Sequence, residues 1–168
     1  MNWLRPLLAF SIAFGINYLY ILYYRSKKKQ LLKSLEGSNY RLFQNVHSKI
    51  WMSRFLKFAS WRQELDVVQV DDDLILISGS GLFLFRKQDA IRLLTVDPKK
   101  TYHGVRSRNI IVFAEIQYES LSLRAVGLGT RSPDLNAVLD FNGRQIDLEK
   151  MIAHWNKAIE ERNKLIKT

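Results

Sequence analysis

The spacing of apolar positions changes along the chain, and each change predicts a different element. Pro6 to Tyr24 (PLLAFSIAFGINYLYILYY) contains no charged side chain. As a helix rising 1.5 Å per residue it would reach about 28 Å, the thickness of a bilayer's hydrocarbon core. Residues 6–24 are therefore expected to form a transmembrane helix, preceded by a short extracytoplasmic stretch, 1–5. Trp3 stands at one end, while Tyr18, Tyr20, Tyr23 and Tyr24 crowd the other, where amphipathic rings favour headgroup depth. A cleaved signal peptide would have a shorter apolar core and a small-residue cleavage site. Here bulky tyrosines are followed by Arg25-Ser26-Lys27-Lys28-Lys29. Gly15 and Asn17 are the candidates for helix–helix contact, because a buried amide gains by hydrogen-bonding across a helix pair.

Beyond the apolar segment, Gln30 to Leu35 is expected to carry the helix on into water. Glu36-Gly37-Ser38-Asn39 reads as a break, with Asn39 able to cap a following helix. Leu42, Phe43, Val46, Ile50, Trp51, Phe55 and Phe58 then recur at three-to-four-residue spacing, with Arg41, Lys49, Arg54 and Lys57 between them. That pattern predicts an amphipathic helix over 40–58 with a basic complement. Two placements are open to it: in the plane of the interface against anionic lipid, or packed on the domain that follows. Residues 25–60 are thus a basic juxtamembrane segment, and 61–168 a soluble domain.

From Glu64 the period shortens. Leu65, Val67 and Val68, then Leu74 to Ile77, then Leu82 to Phe85 are short apolar runs, separated by Asp71-Asp72-Asp73 and Ser78-Gly79-Ser80-Gly81. Such runs between turn signals predict strands. Further strands are expected over Ala90–Val96, Asn109–Gln117 and Glu119–Val126, the last alternating at Leu121, Leu123 and Ala125. Asn142-Gly143 should supply the two positive φ angles of a hairpin turn between Asn136–Phe141 and Arg144–Ile146. Asp147 can cap a terminal helix whose apolar stripe is Leu148, Met151, Ile152, Trp155, Ile159 and Ile166. The expected class is α+β: an N-terminal transmembrane helix, an amphipathic helix, and a curved antiparallel sheet of about seven strands closed by a C-terminal helix.

Charge sharpens this picture. The net charge of +10 would suit nucleic acid if it lay on the folded body. It does not. Arg25 to Lys57 holds nine basic residues and only Glu36 as an acid, whereas Phe58 to Ile146 holds eleven of each sign. The excess hugs the apolar segment, which points to anionic headgroups or topology and away from nucleic acid. By the positive-inside rule the N-terminus lies outside and the C-terminal domain in the cytoplasm, at a plasma or bacterial inner membrane. The residues expected to set topology and meet lipid are Arg25, Lys27, Lys28, Lys29, Lys33, Trp51, Arg54 and Lys57. The lack of cysteine excludes disulfides, thiolate metal sites and cysteine nucleophiles.

Little else in the chain carries chemistry. His47, His103 and His154 show no paired-ligand spacing, and there is no HExxH, P-loop lysine or Gly-x-Ser-x-Gly. Ser78-Gly79-Ser80-Gly81 lacks the strand–loop–helix setting of a phosphate cradle, and Asp71-Asp72-Asp73 is expected to be a solvated turn. Glu115 and Glu119 flank a hairpin. No catalytic residue, cofactor or metal is expected, and no enzyme activity. One loop stands out: Lys99, Lys100, His103, Arg106 and Arg108 gather around Gly104, where their donors could take an anion or headgroup.

The layout resembles the pleckstrin-homology superfold, seven antiparallel strands followed by one closing helix. The resemblance rests on LILISGSGLFLF at 74–85, the Asn-Gly turn at 142–143 and DLEKMIAHW at 147–155. It implies an adaptor or scaffold, since domains of that superfold bind headgroups, peptides or partner proteins and are rarely enzymes. The leading expectation is therefore a single-pass interaction module, an accessory or assembly subunit of a membrane complex. Its partners would be the anionic bilayer and a membrane protein or a second copy of itself. The alternatives are a sensor of anionic lipid and, least favoured, a tethered enzyme.

Overall fold

A single helix, α1 (Leu4–Ser34), runs unbroken through the apolar segment and well beyond it. The computed structural model describes residues 3–52, 61–78, 91–102, 104–118, 120–128, 134–143 and 147–166. α1 is long and apolar enough to cross a membrane, and none of its apolar window is buried. Its last turn holds Lys33, a cation suited to the negative end of the helix dipole. The helix ends where expected: the Leu35 N–H still bonds back to the Leu31 carbonyl at 3.1 Å, and Gly37, at φ +99°, turns the chain away.

Among the described residues nine strands follow: β1 (Tyr40–Met52), β2 (Trp61–Val70), β3 (Asp73–Ser78), β4 (Ile91–Thr95), β5 (Thr101–Tyr102), β6 (Val105–Arg106), β7 (Asn109–Gln117), β8 (Ser120–Gly127) and β9 (Leu135–Asp140). Seven of them close a barrel in the order β1-β2-β3-β4-β7-β8-β9, with β9 paired back to β1, while β5 and β6 form a separate small hairpin. The sheet departs from the expected antiparallel pattern at one seam. β4 and β7 pair in parallel, Leu94 with Asn109 and Thr95 with Ile110, because the long connection between them carries the β5–β6 hairpin across.

The amphipathic helix expected over 40–58 is a strand as far as Met52, and Asn39 caps no helix. The cause is a β-bulge. Between Phe43 and Val46 the register slips, and Asn45 takes φ +53°. The bulge turns Phe43 and Val46, three residues apart, into the same interior, and Ile50 follows four later. A three-then-four rhythm produced by a bulged strand is indistinguishable in sequence from a helical stripe. Residues 53–60 lie outside the described residues, as do 79–90, which held the expected strand Leu82–Phe85.

Among the described residues two apolar clusters divide the buried core. The larger fills the barrel and includes Val46, Val67, Leu74, Leu76, Leu94, Ile111, Leu121, Leu123, Leu135 and Leu139. Helix α2 (Leu148–Ile166) packs Leu148, Met151, Ile152 and the fully buried Trp155 into it. As expected, Asp147 caps this helix: its Oδ1 accepts the Lys150 N–H at 3.1 Å. The Trp155 Nε1–H donates to the Asp72 carbonyl at 2.5 Å, tying α2 to the β2–β3 turn. Asn142 and Gly143 have φ +51° and +68°, as a primed turn requires, while the returning strand Arg144–Ile146 lies outside the described residues.

The second cluster lies on the outer face of β2, β3 and β4, where Val68, Val70, Ile75, Ile77 and Leu93 pack with Leu31 of α1 and its C-cap residue Leu35, and Tyr102 and Val105 of the β5–β6 hairpin lie against the same patch. This explains the two hydrophobic textures of the strands. β3 is buried at every position from Asp73 to Ile77 because Leu74 and Leu76 face the barrel core while Ile75 and Ile77 face the helix. β9 has only one covered face and alternates strictly.

Candidate interaction surface

The base of α1 organises the basic residues into two faces. At 100° per residue Arg25, Lys29 and Lys33 form one stripe, on average about 130° around the helix from Leu31 and Leu35 and so turned away from the barrel. All three are exposed. Lys27 is also exposed, its Nζ 4.9 Å from the Tyr23 ring centroid. Lys28 faces the other way. Its ammonium forms an ion pair and hydrogen bond with Asp66 of β2, and the other Asp66 oxygen accepts the Asn45 N–H at 3.1 Å. Lys28 is thus a structural strut between helix and barrel, and sequence spacing alone held no sign of its partner.

The remaining expected membrane-facing residues fall as follows. Trp51 is half-buried on β1, with Lys49 Nζ 5.8 Å from its ring centroid. Arg54 and Lys57 lie outside the described residues. In α1, Gly15 is exposed with open space around it, and the Asn17 side chain lies outside what is described.

The basic loop is only partly available to an anion. Lys100 Nζ lies 2.6 Å from Asp73 Oδ2, and the Tyr102 hydroxyl donates to the same carboxylate oxygen at 3.0 Å. Asp73, expected in a solvated turn, is 2% exposed. Burial alone would lower the Lys100 pKa, but hydrogen bonds and charge from Asp73 and Tyr102 outweigh it and hold the ammonium above the ordinary lysine value. Tyr102 is pushed up to about 12, chiefly by burial and further by Asp73. Lys99 and Arg106 are exposed on the hairpin, Arg108 is exposed beside it, and His103 lies outside the described residues. What sequence reasoning missed here is Asp73. Nothing in a run of three aspartates marks the third as the one that starts a doubly covered strand.

An open depression of about 600 Å³ crosses the outer wall of β1, β2, β8 and β9, lined by His47, Ser48, Lys49, Glu64, Ser120, Val138 and Asp140. Register sets His47 directly between Glu64 and Asp140, with His47 Nδ1 3.6 Å from Glu64 Oε1. Among the described residues no group of three or more His, Asp or Glu is arranged to hold a metal ion. No protein-family model, curated protein or solved structure matches the chain.

Proposed function

We propose that this chain is a single-pass membrane-anchored interaction module, an accessory or assembly subunit that holds its barrel against the cytoplasmic face of a membrane complex. The observation that supports this most directly is the continuity of α1. The helix leaves the apolar segment and, without a flexible linker, becomes the cover of the barrel's outer cluster through Leu31 and Leu35. A tether would let a domain search the cytoplasm, whereas a junction of this kind supports a fixed position beside the bilayer. The charge distribution supports an orientation with the barrel inside. A closed barrel with one packing helix is compatible in outline with a pleckstrin-homology-like adaptor, and that likeness supports partner binding in preference to catalysis.

The partner on this reading is a membrane protein or a second copy of the chain. Co-purification from gently solubilised membranes is expected to recover a stoichiometric partner. Recovery of a lone monomer in several mild detergents would sink the proposal. The alternative, a headgroup sensor acting through the loop at 99–108, is weakened by the commitment of Lys100 to Asp73.

A further inference from the structure

Helix and barrel together define a depth. Lys28 is four residues past Tyr24, so it lies about 6 Å beyond the end of the apolar segment along the helix axis. Its partner Asp66 sits on β2, and farther on Leu31 and Leu35 share a cluster with Val68 and Val70. α1 and β2 therefore run in the same direction, away from the apolar segment. From Asp66, β2 extends back toward that segment as far as Trp61, about 16 Å at 3.3 Å per residue. Even crossing the helix at about 60° the strand would cover about 8 Å along its axis, more than the ~6 Å that separates Lys28 from Tyr24.

A second observation agrees. Ile21, inside the apolar segment, is half-buried, although Tyr18, Leu19, Leu22 and Tyr23 around it are 63%, 66%, 41% and 53% exposed. Seven and fourteen residues later on the same helical face stand Lys28 and Leu35. Ile21 thus lies on the same helical face that the barrel covers farther along α1.

We propose that the barrel end formed by the last residues of β1 and the first of β2 sits in the headgroup layer of the bilayer, so that this surface has the lipid itself as its partner. The inference rests on reading α1 as a membrane span. The outward side chains of β1 suit that depth. Register sets Lys49 opposite Arg62 and Ile50 opposite Trp61, which places Lys49 and Trp51 at the end of β2 nearest the apolar segment. An indole with an apolar body, beside an ammonium that can reach phosphate, is the combination that favours the interface. Arg25 and Lys27 extend the basic rim at the same level on α1. The first acid on this wall, Glu64, lies nearer the water and beside His47.

The absence of cysteine makes the test direct, because single cysteines can be labelled without background. The full chain would be reconstituted in phosphatidylcholine–phosphatidylserine vesicles with a fluorophore at Lys49→Cys, Leu19→Cys or Lys150→Cys. Lys49 is exposed, so its replacement spares the core, and Lys150 lies beside Asp71 and Asp72 at the opposite end of β2. Lipids with a nitroxide on the headgroup are expected to quench the Lys49→Cys label several-fold more than the Lys150→Cys label. Acyl-chain nitroxides should quench Leu19→Cys. Loss of the Leu19→Cys signal would remove the span, and with it the reading of the protein as membrane-anchored. Quenching at Leu19→Cys with equal, weak quenching at Lys49→Cys and Lys150→Cys would overturn the lipid surface alone. Protection of Lys49→Cys in native membranes that vanishes in pure lipid would assign the surface to a protein and overturn it as well.

Discussion

Asp73 shows how one carboxylate can organise a neighbourhood. It is 2% exposed, and burying a charge is costly unless it is paired and hydrogen-bonded. Lys100 and Tyr102 meet that need from a hairpin about thirty residues away in sequence, so the group that makes β3 tolerable also pins β5 and β6 to the barrel. The raised pKa of Tyr102 makes this contact visible in solution. The folded protein keeps the phenolic proton that the unfolded chain gives up near pH 10.0, so the tyrosine's contribution is complete below that value and is lost as the pH climbs to about 12. Lys100 changes stability in the same direction. The urea midpoint is expected to fall across this interval, and to fall less steeply in Tyr102→Phe. Identical profiles for the two proteins would remove the phenol from the network.

Among the elements, α1 has two jobs on one cylinder. Its first part offers apolar side chains on every face, and its last turns offer them on one, where Leu31 and Leu35 are 3% and 1% exposed. Leu35→Ala is expected to cost about 2–4 kcal/mol, because the barrel wall beneath it can relax only partly into the space. Lys29→Ala, on the opposite stripe, should change stability by less than about 0.5 kcal/mol. Guanidinium unfolding in detergent, followed by tryptophan fluorescence, would separate the two, and equal effects would contradict the packing. The helix was legible in the sequence because an apolar run of spanning length and its basic flank are long, uninterrupted signals. β8 and β9 were legible because each alternates, and β7 because it is a short apolar run between turn signals. β1 was not, since the bulge at Asn45 converts a period of two into helical spacing, and the contact that stabilises the bulge, Asp66, is 21 residues away. The basic loop was legible as charge, but its availability depended on a buried partner that only the fold brings near.

At the scale of the molecule, α1 and the barrel are one folded unit. Removing residues 1–35 would uncover Val68, Val70, Ile75, Ile77 and Leu93 together, an apolar patch on the outside of a closed barrel. The fragment 36–168 is expected to aggregate or bind detergent in size-exclusion chromatography, and a monodisperse, detergent-free monomer of full stability would refute that unity. Closure of the barrel carries a different consequence, one of timing. β1 pairs with β9, about ninety residues later, and α2 seals the interior only after β9 is in place. During synthesis α1 is therefore complete long before the barrel can shut. The nascent chain waits as an open sheet with its first helix already docked, so the order of assembly follows from the pairing of its first and last strands.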